Sequence, residues 1–240
     1  MARIIQAAWL ALAALMVPGC AFADDTAPDY RYRLTVEVET PEGLKAGSSV
    51  IEVQQTLVRA GSSPAHQAVE RRVRGEAVAV DLPGGKTMFA LLRSDSEVEW
   101  AAQVMHLLAP EIQGETSQDS FANLLLIKGK VVVPRTFPRI AWIPERSAYP
   151  MMVVFGDLTD PTSVTKVDPD DLAATFSEGV KLKRITVELT DDPVTTGIEA
   201  RLPWAGSHIG TLVYRPRDLP IGEMPIEQRL NGSDFIRKGN

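Results

Sequence analysis

The sequence predicts an α+β fold: an antiparallel, β-meander-rich domain with a few short capped helices packed on the sheet. Three observations carry this. In YRYRLTVEVET, Tyr30, Tyr32, Leu34, Val36 and Val38 alternate with polar residues, the period of two of a half-buried strand. GEAVAVDL and KTMFALL flank Pro83-Gly84-Gly85, the turn chemistry of a hairpin. Helix-start spacings recur at Ser94/Glu97, Asp168-Pro169 and Thr196/Glu199.

After the first strand, Pro41-Glu42-Gly43 supplies a turn, and the β-branched run Ser48 to Val58 is its antiparallel partner across a loop of several residues. RAGSSPAHQAVERRVRG has no clean period and reads as a surface loop. Its Arg59, Arg71, Arg72 and Arg74 read as solvated charges rather than as an anion-binding patch. The hairpin at 83–85 brings the count to four successive strands, a meander. Ser94 then caps a helix running through Leu108 and closed by Pro110, with Val98, Ala101, Ala102, Met105 and Leu108 on its apolar stripe. FANLLLIKGKVVVP gives a short apolar segment, a turn at Lys128-Gly129-Lys130 and a strand. Pro138, Pro144 and Pro150 break the next stretch, where Trp142 and Tyr149 read as plugs over a core edge.

Met151 to Phe155 is a buried strand. Asp168 as N-cap, Pro169 at the first helical position and Asp170 and Asp171 in the first turn predict a helix that stops at Gly179. In VKLKRITVELT the apolar alternation changes phase, which places a bulge near Lys183-Arg184. Were the strands at 151 and 182 parallel neighbours, the intervening helix would be a right-handed crossover. A short helix from Thr196 stops before Pro203. The domain is one α+β unit over 30–215, β-rich over 30–134 and α+β over 150–204, with a polar tether over 24–29 and an extended tail over 216–240.

The N-terminus sets the compartment. Arg3 precedes an apolar run, Ile4 to Val17 interrupted only by Gln6, followed by Pro18, Gly19 and small residues: the layout of a signal peptide over 1–23, and too short to span a bilayer. Two processing outcomes are open. Cleavage after Ala21-Phe22-Ala23 frees a soluble chain beginning at Asp24. Alternatively, Val17-Pro18-Gly19-Cys20 resembles a lipobox, with Cys20 the lipid attachment point; Ala21 after it resembles outer-membrane signals. Cys20 is the only cysteine, so the mature domain has no internal disulfide and rests on its core. The formal charge of −6 argues against a nucleic-acid partner.

No complete catalytic, metal or nucleotide signature is present: there is no GxSxG, phosphate loop, HExxH or GxGxxG opening a helix. Asp157, Asp160, Asp168, Asp170 and Asp171 fail the EF-hand spacing, with Leu172, Ala173 and Gly179 at the decisive positions. His66, His106 and His208 lie on unrelated segments, so no metal site and no cofactor are expected. Helix capping accounts for Asp168, Asp170 and Asp171, leaving Asp157, Asp160, Asp191 and Asp192 as the candidate binding residues.

Taken together, YRYRLTVEVETPEG, FGDLTDPTSV, DPDDLAATF, ITVELT and GIEARLPW resemble a group of proteobacterial exported or lipid-anchored envelope proteins of unknown activity. The resemblance implies export and assigns no catalytic residue. The expectation is a periplasmic or outer-membrane-tethered, non-enzymatic binding or structural module whose partner is an envelope protein or small molecule. The alternatives are a carboxylate-dependent hydrolase near Asp157 and Asp160 and an immunity or inhibitor protein with an exposed apolar patch.

Overall fold

A computed structural model describes residues 27–59, 67–113, 119–137, 146–208, 210–213 and 223–239. The signal segment with Cys20, the first tether residues, His66, Pro138, Trp142, Pro144 and 216–222 lie outside these. The strands are β1 (Tyr30–Thr40), β2 (Gly43–Arg59), β3 (Gln67–Glu76), β4 (Val78–Leu82), β5 (Lys86–Ala90), β6 (Val131–Val132), β7 (Thr136–Phe137), β8 (Arg146–Ser147), β9 (Met152–Phe155), β10 (Val164–Val167), β11 (Lys181–Leu189) and β12 (Ile236–Lys238). Helix α1 (Trp100–Leu108) follows β5, and the one-turn α2 (Ile226–Arg229) lies near the C-terminus.

These strands form a six-stranded sheet ordered β12-β3-β2-β1-β11-β6, a four-stranded sheet ordered β10-β9-β5-β4, and the small pair β7-β8. Every pairing is antiparallel, so the fold is predominantly antiparallel β with few helices. β9 and β11 lie in different sheets, so the condition for a parallel crossover is not met.

β1 is the centre of the larger sheet. Its odd-step apolar residues are buried and the residues between them are partly exposed, as the alternation requires. The outward face is a set of cross-strand ion pairs: Arg31 with Glu52 at 2.7 Å, Arg184 with Glu37 at 3.0 Å, and Arg33 with Glu188 at 3.8 Å. β1 and β2 are joined more tightly than the sequence suggests, since Thr40 already pairs with Gly43 and the loop is only Pro41-Glu42. Gly43 takes φ 109°, a conformation that suits glycine. The bulge falls where the phase change puts it: Arg184 opposes Glu37 and Leu182 opposes Val38, leaving Lys183 as the extra residue.

The loop expected after β2 is in part a strand. β3 pairs with β2 from Gln67 to Arg74, and its inward row is Val69, Arg71 and Val73; a charge in that row breaks the pattern that would have marked it. Nor is there a four-strand meander. β3 leaves the larger sheet at Ala77, and β4 and β5 belong to the second sheet. The two sheets touch closely at this corner: a side chain at Gly47 of β2 would place its Cβ 2.0 Å from the Ala79 carbonyl oxygen of β4, so only glycine fits.

The two inner strands of the second sheet are buried on both faces from Met88 in β5 and throughout β9, which is why MFALL and MVVF read as continuous apolar runs. Met88, Ala90, Met152 and Val154 face the larger sheet, where Leu34, Val36 and α1 complete one core. Phe89, Leu91, Val153 and Phe155 face the other way and are covered by Ile198, Leu202, Leu230 and Phe235. The C-terminal segment is therefore no free tail over its described part. β12 pairs with β3, and the Phe235 and Asp234 carbonyls accept the Ala77 and Leu92 amides at 2.8 and 2.9 Å. The tether is likewise docked from Ala27, which is buried; Asp29 accepts the Gln55 amide at 2.7 Å.

The expected helices shrink. Ser94 accepts the Glu97 amide, but α1 starts only at Trp100, and Val98 stands exposed outside its stripe. The helix from Asp168 is a single 3-10 turn, Leu172–Ala174. Asp168 accepts the Asp170 amide and Asp171 the Ala174 amide, so two caps in series give the backbone local turns instead of a helix. The helix expected from Thr196 is also a 3-10 turn, Ile198–Ala200.

Candidate functional site

The four aspartates singled out from the sequence fall into two separate places. Asp157 and Asp160 sit in the exposed turn between β9 and β10. In each carboxylate Oδ1 accepts both the amide and the hydroxyl of the threonine two residues on: Thr159 at 2.8 and 2.8 Å for Asp157, Thr162 at 2.9 and 2.7 Å for Asp160. The Thr159 bonds hold the Asp157 carboxyl below the usual carboxylate range, so at neutral pH it has no proton to give. Asp192 follows β11 and pairs with Arg33 of β1; that pairing, followed by Thr190, holds its carboxyl low. Asp191 is exposed beside it. No bond links the two pairs, and among the described residues no three His, Cys, Asp or Glu side chains gather to hold a metal ion.

A cleft lies elsewhere. Where β3 departs, residues 194–196 take over its position beside β2: the Thr195 amide donates to the Val50 carbonyl at 3.1 Å and its hydroxyl accepts the Val50 amide at 2.8 Å. The split leaves a cleft of about 240 Å³ between this segment, the end of β3 and β12. Arg74, Thr196, Glu199 and Lys238 line it, and Glu76 forms part of its wall.

Glu76 is nearly fully buried, and its two oxygens accept the Gly197 and Ile198 amides at 2.9 and 2.8 Å. It thus caps the 3-10 turn from a distant strand, in place of the Thr196 cap that local spacing suggested. Glu76→Ala leaves both amides without their acceptor, that of Ile198 in a buried place, and is expected to lower stability by about 2–4 kcal/mol, measured by urea unfolding. Glu76→Gln, which keeps one acceptor, is expected to lose less. Glu199 accepts a hydrogen bond from Lys238 at 3.3 Å, whereas Arg74 has only a 4.0 Å approach to Glu52.

β3 carries a second polar constellation on its inward face. Gln55 on β2 accepts from Arg71 Nε at 3.1 Å and from His106 Nε2 of α1 at 2.8 Å, while its amide nitrogen donates to the Pro28 carbonyl at 2.7 Å. The Pro28 contact fixes the Gln55 amide, and so fixes His106 Nε2 as the donor. Tyr30 and Phe121 set their rings edge-on to the imidazole.

Burial, and after it the Arg71 charge, lower the His106 pKa from 6.5 to about 4. A depressed folded pKa gives stability that is whole above about 6.5 and is lost as pH falls through about 4. The loss is expected to approach about 3 kcal/mol by a pH of about 4, less whatever solvent screening removes. Urea midpoints across that range check it, with His106→Gln flattening the dependence.

Local sequence showed neither constellation. Glu76, Arg71 and Gln55 find their partners across strands, and the only local mark was an arginine between two valines. Searched against protein-family models, curated proteins and solved structures, the chain matches none.

Proposed function

We propose that the chain is an exported cell-envelope protein, soluble or lipid-anchored at Cys20, that works as a non-enzymatic binding module with the β3–β12 cleft as its ligand place. The observation that carries this is the state of the cleft's carboxylates. Glu76 is bonded to two backbone amides and Glu199 to Lys238, so among the described residues the cleft has no unengaged carboxylate, while Arg74 and Thr196 line it with hydrogen-bond donors. Such a lining holds a small polar ligand or a polar protrusion of an envelope protein.

Export is supported by the signal layout of 1–23 and by the docking of the chain from Ala27 onward, a few residues beyond either processing point. On the outward face of the larger sheet Arg31, Arg33 and Arg184 are paired with carboxylates, which argues against a nucleic-acid partner. The carboxylate-hydrolase alternative is weakened by the exposed setting of Asp157 and Asp160, in each of which Oδ1 serves its own turn. The inhibitor alternative has one feature in its favour, the adjacent exposed side chains Leu125 and Leu126, and would show as stoichiometric copurification with an enzyme.

Intact-mass measurement on fractionated cells tests the reading. A chain starting at Asp24 in the periplasm, or at acylated Cys20 in the membrane, supports it; a chain keeping Met1 in the cytoplasm overturns it.

A further inference from the structure

Arg71 is out of place by the logic of its own strand. It stands in the inward row of β3 between Val69 and Val73, opposite the buried Gln55, where an apolar residue would be the stable choice. It is half-buried, yet among the described residues it has no carboxylate partner. Nε is taken by Gln55, and the guanidinium lies 5.8 Å from the centre of the Phe121 ring, which holds its plane. Nη1 and Nη2 have no protein partner among the described residues. His106 is locked as a neutral ring whose donor also points to Gln55, so it offers no counter-charge. A charge withdrawn from water costs stability unless an opposite charge meets it.

We propose that Arg71, oriented by Gln55 and Phe121, is an oxyanion-binding residue that receives a ligand's carboxylate on Nη1 and Nη2. The planar two-nitrogen edge matches a carboxylate in bidentate fashion, and Nε is already engaged in a way that turns this edge outward from Gln55. The site is separate from the cleft: Arg74 is three residues further along β3 and faces the opposite side of the sheet. It stands whether or not the cleft binds anything. The carboxylate has two sources, a small dicarboxylate or the C-terminus of a peptide, and the chemistry at Arg71 is the same for both.

Nuclear magnetic resonance on the isotope-labelled chain tests this at constant ionic strength. Probes are succinate, a short peptide with a free C-terminus, its amidated counterpart and inorganic phosphate. The expected result is a saturable shift of the Arg71 Nε–H and Gln55 side-chain signals with succinate or with the free-acid peptide, the stronger of the two naming the source. Arg71→Met is expected to weaken that binding about tenfold or more, while Arg74→Met leaves it unchanged. Arg71→Lys keeps the charge without the fork and is expected to fall between them, which controls for loss of fold. Carboxylate binding is also expected to raise the His106 titration midpoint, because it offsets the neighbouring guanidinium. The proposal is overturned if neither carboxylate gives a saturable shift, if Arg71→Met binds like the wild type, if the amidated peptide binds equally well, or if phosphate binds more tightly than both carboxylates.

Discussion

Asp234→Ala is expected to lower the unfolding free energy by about 3–5 kcal/mol, because it leaves a buried arginine without its counter-ion. Asp234 is fully buried, and Arg93 beside it is nearly so, with Nη1 3.7 Å from Oδ2. The carboxylate also accepts the Asn231 amide at 2.9 Å, and the Asn231 side chain accepts from Ser233, so one residue closes a capping box and meets the charge of β5's extension. Arg93 in turn donates to the Ser94 and Arg229 carbonyls, binding the chain after β5 to the end of α2. Asp234→Asn keeps an acceptor for the Asn231 amide and is expected to cost less than the alanine variant in the same urea titration.

The pH behaviour of this pair runs opposite to that of His106. Burial pushes the Asp234 carboxyl above its ordinary value of 3.8, against the pull of the Asn231 amide, Arg93 and Arg237. A raised folded pKa contributes stability that is whole below the unfolded value and is lost as pH rises through the folded one. Asp234 therefore does not drive acid unfolding, and the loss expected as pH falls from about 6.5 to about 4 belongs to His106. Comparing the Asp234→Asn and His106→Gln variants across that range separates the two.

Phe235→Ala is the other large loss, expected at about 3–5 kcal/mol by the same measurement. The ring is fully buried on the second face of the smaller sheet, 5.7 Å from Phe155 and 5.1 Å from Trp204. Phe155 meets Phe89 edge-on, so removing Phe235 opens a void inside a four-ring cluster rather than at its edge. Its backbone has a second duty, since its carbonyl accepts the Ala77 amide where the chain crosses between sheets.

How far the sequence revealed this molecule depended on the range of the interaction. β1, β5, β9 and the bulge in β11 were legible because alternation and apolar runs are local signals. Capping spacings were legible too, but the length of what they cap is decided elsewhere: Asp168 and Asp171 close turns, and the real cap of Ile198 is Glu76, far away in the chain. β3 was hidden by the inward Arg71, and the departure of β3 to the second sheet at Ala77 has no local mark. The polar, proline-spaced tail read as extended because Leu230, Asp234 and Phe235 have no period, although each is fully buried. For the candidate site the same local signals favoured Asp157, Asp160, Asp191 and Asp192; the bonds of Asp157 and Asp160 stay within their own turn, and Asp192 pairs with Arg33 of β1. Arg71 and Arg74 of β3, which read as solvated charges, instead line a half-buried polar cluster and a cleft.

Both the cleft and the second core require the C-terminal segment to belong to the folded unit. Native-state hydrogen exchange at the Ala77 and Leu92 amides, which donate to Phe235 and Asp234, reads this directly. The structure predicts that both exchange only through global unfolding, with the same free energy as the core amides of β1. Exchange at these two amides near the rate of an unfolded chain, while β1 stays protected, would contradict it.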